Sequence, residues 1–92
     1  MTEYVVRDWA RIGAVTRTQR RRAGLTQAAL AERAGVSRGW LVRLEAGHPT
    51  AATGAVFKVL RALDFELVAR PVYRSPEDID AERKLAELLG DD

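Results

Sequence analysis

Ninety-two residues, 47% of them apolar and 30% charged, suffice for one compact core but not for two, which argues against both a multidomain enzyme and a disordered chain. The chain has no cysteine and one histidine, His48, so no disulfide framework, zinc cluster or cofactor is expected. No basic leader opens it and no run of about eighteen apolar residues occurs, so no membrane partner is expected and a cytoplasmic setting fits.

The net charge of +2 hides a split: residues 1–74 hold 13 Lys/Arg against 6 Asp/Glu, and residues 75–92 hold 2 against 7. A basic body with an acidic tail follows. Residues 1–7 read as an N-terminal extension, residues 8–64 as a helical domain, residues 65–73 as a strand, and residues 74–92 as the tail.

Asp8 is placed to cap a first helix over residues 9–23, with Trp9, Ile12, Val15 or Thr16, and Gln19 along one side. Gly24 suits its left-handed exit. Thr26 caps a short second helix, residues 27–34, whose Leu30, Ala31 and Ala34 share an inward face before Gly35 ends it. Ser37 opens a third helix that buries Leu41 and Leu44 and closes at Glu45. Residues 48–52 read as a loop around Pro49, and Thr53 opens a fourth helix carrying Val56, Val59, Leu60 and Leu63.

From Phe65 the period changes to two: Phe65, Leu67 and Ala69 alternate with Glu66, Val68 and Arg70, the pattern of a strand ending near Pro71. Ser75-Pro76-Glu77 is a helix start, and Ile79, Leu85, Ala86 and Leu89 align on one face of a tail helix.

Residues 26–45 are two short helices joined by a turn at Gly35, the pattern of a helix-turn-helix. The elements Leu25-Thr26-Gln27, Leu30-Ala31, Val36-Ser37 and Leu44-Glu45 resemble, in order and spacing, the Xre or phage-repressor class over residues 11–63. That resemblance implies a mainly α fold, a four-helix (or five-helix) lambda-repressor-like DNA-binding domain, here with one C-terminal β-strand pairing across a dimer. It also implies an ion pair between Arg20, late in the first helix, and Glu45. The alternative for Arg20 is a place in the solvated run Arg20-Arg21-Arg22.

If the third helix enters a major groove, Ser37, Arg38, Trp40 and Arg43 are its candidate contacts, while Gly39 permits close approach. Arginine donates two hydrogen bonds to guanine, so Arg38 and Arg43 suggest guanine in each half-site. Their alternative role is as solvated surface charges. Trp40 has two readings, packing on sugar or a thymine methyl, or burial in its own domain. Thr26 and Gln27 start the second helix, where the class sets glutamine against a phosphate or an adjacent base.

A helix-turn-helix followed directly by a Phe-x-Leu strand is similar to HipB-like antitoxins over residues 8–72. That similarity implies a homodimer joined through Phe65, Leu67, Val68 and Ala69, an inverted-repeat operator in double-stranded DNA, and a HipA-like kinase toxin as partner. The acidic tail has three readings: docking on a basic toxin surface, keeping the protein soluble while repelling non-specific DNA, or a solvated terminus. Two other functions fit the same pattern, a stand-alone Xre-type regulator with another partner and an interaction adaptor that binds no DNA. An enzyme does not fit, because His48 has no cysteine companion and no Gly-x-x-x-x-Gly-Lys loop occurs.

Overall fold

Four of the five helices begin where a short polar side chain takes up a free backbone N–H, and the fourth, after Ala52, has no such cap. In a computed structural model describing residues 2–49 and 52–90, α1 runs Trp9–Arg22, α2 Gln27–Ala34, α3 Arg38–Glu45, α4 Thr53–Ala62 and α5 Pro76–Leu88. Asp8, Thr26 and Ser37 accept from the N–H groups of Arg11, Ala29 and Trp40, respectively. Thr50 and Ala51 of the expected loop, and Asp91 and Asp92 of the tail, lie outside the described residues.

The helix ends share one device. After α2 the N–H of Val36 bonds to the carbonyl of Ala31 and that of Gly35 to Glu32, a Schellman closure with Gly35 at φ 74°. The same pair of bonds closes α1, α3 and α4. At the end of α4 the left-handed position is taken by Asp64, at φ 58°. Three sharp exits in succession turn the chain back on itself, so α1 to α4 can wrap around one core.

That core is built from Leu30, Ala31 and Ala34 of α2, Leu41 and Leu44 of α3, and Val56, Val59 and Leu60 of α4. Trp9, Ile12, Leu25, Val36, Leu63 and Phe65 close its edges. α1 lies close against α3 because Gly13 has no side chain: a Cβ there would stand 2.1 Å from the Leu44 carbonyl oxygen. This contact fixes the depth at which the third helix sits, and nothing in the local sequence pattern announces it.

The N-terminal extension folds back on this body. The Tyr4 ring meets Phe65 edge-on at 6.2 Å, the Arg11 guanidinium lies 5.6 Å from the Tyr4 ring centre, and Arg22 donates to the Tyr4 hydroxyl at 3.0 Å. Cation–π and edge-to-face contacts of this kind are each worth roughly 0.5–1.5 kcal/mol.

The expected strand does not form in the single chain. Among the described residues there is no strand, and no backbone hydrogen bond joins the 65–73 segment to residues 2–7. Leu67 is 53% exposed and Val68 73%, so neither side of the two-residue alternation is buried. The physical reason is that a strand exists only as part of a ladder, and the N-terminal segment meets Phe65 through a ring contact rather than through its backbone.

α5 is held by local interactions. Ser75 and Asp78 form a reciprocal capping box with Pro76 at the first turn, and Arg74 pairs with Glu82. None of its residues is buried, and Ile79, Leu85, Leu88 and Leu89 are exposed. No helix among the described residues is long and apolar enough to cross a membrane.

Candidate nucleic-acid interface

Burial of Leu41 and Leu44 fixes the orientation of α3, because a helix turns about 100° per residue. The opposite arc carries Arg38, Gly39, Val42, Arg43 and Ala46, all exposed. Arg38 and Arg43 therefore bracket the outward surface, with Gly39 and Ala46 leaving its middle low. A Cβ added at Gly39 would meet nothing within 4 Å.

The other candidates on this helix are placed differently. Ser37 is exposed, with its Oγ accepting from the Trp40 N–H. Trp40 is half-buried and packs against the core from the flank of α3, so the structure sets it with the domain and away from the exposed arc. Its indole Nε1 is buried with no hydrogen-bond partner among the described residues.

The ends of α1, α2 and α3 meet at one ion pair. Arg20 donates from Nε to Glu45 Oε2 at 2.8 Å and from Nη2 to Glu45 Oε1 at 2.9 Å, and from Nη1 to the Leu25 carbonyl at 2.8 Å. The side chains are 10% and 3% exposed. Each of the guanidinium's three nitrogens bonds within the domain, and the residue is buried, so Arg20 is not part of the solvated run that Arg21 and Arg22 continue. Gln27 adds a third donor to Glu45 at 3.3 Å, which holds the first side chain of α2 against the end of α3.

Around this network lies a shallow open depression of about 340 Å³, lined by Arg17, Arg21, Gln27, Val42 and Ala46 together with the Arg20–Glu45 pair. The start of α2 opens nearby, and its unpaired N–H groups favour an anion. Thr26 Oγ1 accepts from the Ala29 N–H, a capping role that orients this turn. Cationic side chains at a helix N-terminus beside an exposed arginine-bearing helix are the parts needed to grip a phosphate backbone and reach base edges.

Arg17, Arg21 and Val42 were not among the sequence candidates. Arg17 and Arg21 lie four apart on α1, one turn, and that spacing was a usable signal. Val42 is apolar, and its residue type alone does not mark it as a contact. Counting around the helix from Leu41 and Leu44 puts it outside.

Two short helices joined at Gly35, the second carrying its polar arc outward, define a helix-turn-helix protein. The chain belongs to the Helix-turn-helix domain family, whose model matches residues 11–72. It is 48% identical over 54 residues to the uncharacterized HTH-type transcriptional regulator y4mF of Sinorhizobium fredii, covering 59% of this chain and 71% of that protein. Among solved structures it is similar to HipB in a HipB(S29A)-O2 20mer complex, with TM-score 0.71, 18% identity, and coverage of 78% of this chain and 100% of that one. It is also similar to the restriction-modification controller protein C.AhdI from Aeromonas hydrophila, with TM-score 0.58, 29% identity, and coverage of 63% and 88% respectively.

Proposed function

We propose that this protein is a sequence-specific DNA-binding transcriptional repressor that acts as a homodimer on an inverted repeat and serves as the antitoxin to a HipA-like kinase toxin. The observation that carries the DNA-binding part is the exposed arc of α3, with Arg38 and Arg43 set outward beside the depression lined by Arg17, Arg21 and Gln27. α3 enters the major groove, Arg38 and Arg43 take guanine edges, and Gln27 with the start of α2 takes a phosphate. Thr26 and Ser37 hold the two helix starts that face the duplex.

The dimer is supported by the apolar side chains left open at Leu67, Val68 and Val72. Two copies joined through residues 65–73 would carry recognition helices about 34 Å apart, one DNA turn. Support for the toxin partner comes from the fold shared with HipB, which also occurs in the HipA-HipB-O2-O3 complex at TM-score 0.70 and 17% identity.

The test is selection of bound duplexes from a random library, with the wild type and with Arg43→Ala. The wild type is expected to enrich an inverted repeat, and the variant to lose preference at one base position per half-site while keeping the fold. Enrichment of no sequence by the wild type defeats the DNA-binding reading, and co-purification with no kinase from its own operon defeats the antitoxin part alone.

A further inference from the structure

We infer that Val42 is a specificity-determining residue that reads a thymine through its 5-methyl group. This rests on the DNA-binding reading and adds to it a base that neither arginine selects.

Val42 is 39% exposed on a helix whose Leu41 and Leu44 are fully buried and whose Trp40 is half-buried against the core. It lies one turn after Arg38 and directly before Arg43, so it sits between the two outward arginines. Its neighbours on the same arc are Gly39, with open space around its Cα, and Ala46, which adds a single methyl. Between the two arginine arms, Val42 is therefore the one side chain of any bulk. It also lines the open depression that Arg17, Arg21 and Gln27 line, beside whatever the two arginines draw in.

At 39% exposure the branched apolar side chain is only partly covered by its own domain, and its outward part stays open. Of the groups that the major groove offers, donors and acceptors would be left unpaired against it, and only the thymine methyl is apolar. Arg38 and Arg43 are five residues apart, about 7.5 Å along the helix axis. That span is close to two base-pair steps of about 3.4 Å each. The geometry therefore places the thymine next to, or between, the guanines that the arginines take. Low residues at 39 and 46 let the helix settle until Val42 touches the methyl.

The experiment takes the duplex enriched by the wild type and replaces each thymine in turn with deoxyuridine, which removes only the 5-methyl group. Affinity is measured for the wild type and for Val42→Ala, an exposed helix substitution that leaves the core untouched. At one position per half-site the wild type is expected to lose about fourfold on removal of the methyl, the value of one buried methyl-sized group. Val42→Ala is expected to bind the thymine and uracil duplexes alike at that position, and to keep the guanine preferences. If every thymine-to-uracil change affects the two proteins equally, the assignment to Val42 is overturned while DNA binding stands. If the wild type enriches no duplex, the DNA-binding reading falls and the assignment falls with it.

Discussion

Replacing Arg20 with Met exposes what the ion pair contributes. In the native fold the Glu45 carboxylate, 3% exposed, receives two bonds from the guanidinium and one from Gln27. Without Arg20 that carboxylate is left with one neutral donor, and the Leu25 carbonyl loses its partner as well. Stranding one member of a buried pair costs about 3–5 kcal/mol, against about 5–15 kcal/mol for a whole domain. At about 4–8 °C per kcal/mol for a domain of this size, the midpoint should fall by more than about 12 °C. The companion variant Arg20→Met/Glu45→Leu removes both charges and should recover all but about 1 kcal/mol, the loss left at Leu25. Urea unfolding followed by circular dichroism measures all four corners of the cycle. A double variant as unstable as Arg20→Met, or a single variant within about 1 kcal/mol of wild type, would refute the buried-pair account.

Three further substitutions probe other contacts. Gly13→Ala places a Cβ 2.1 Å from the Leu44 oxygen, so α1 and α3 must part. The overpacking costs about 1–3 kcal/mol or more and exceeds the gain in helix propensity of about 1 kcal/mol. Chemical denaturation should find Gly13→Ala less stable, and an Ala variant more stable than wild type contradicts the close approach. Trp40→Phe removes a buried N–H that has no partner among the described residues, so it should leave stability within about 1 kcal/mol of wild type. A loss above about 3 kcal/mol in the same assay would mean that Nε1 has a partner. Tyr4→Ala gives up the ring contacts to Phe65 and Arg11 and should cost about 1–2 kcal/mol, read from the urea midpoint. No change would mean that the N-terminal segment does not hold to the body.

α2 and α3 were legible because their limits are written locally. Thr26 and Ser37 cap them, Gly35 takes a left-handed turn, and Leu30, Leu41 and Leu44 keep helical spacing. The pairing of Arg20 with Glu45 was legible only through family resemblance, since a run of three arginines reads equally well as a solvated face. The segment from Phe65 was misread for the single chain because a two-residue period states which faces differ, not which chain supplies the ladder. Gly13 against Leu44, and Tyr4 against Phe65, join residues far apart in sequence, and no local pattern encodes such contacts. Val42 lay within reach of helical counting from Leu41 and Leu44.

The most direct test of the DNA-binding account is the salt dependence of binding to the enriched duplex, against a scrambled duplex of equal length. Arg17 and Arg21 on two subunits would neutralise four phosphates, for a slope of log affinity on log salt of roughly −3.6. The account predicts a slope at least that steep and clear preference for the enriched duplex at physiological salt. A flat response with equal binding to both duplexes would contradict it and favour a protein-interaction role for the same bundle.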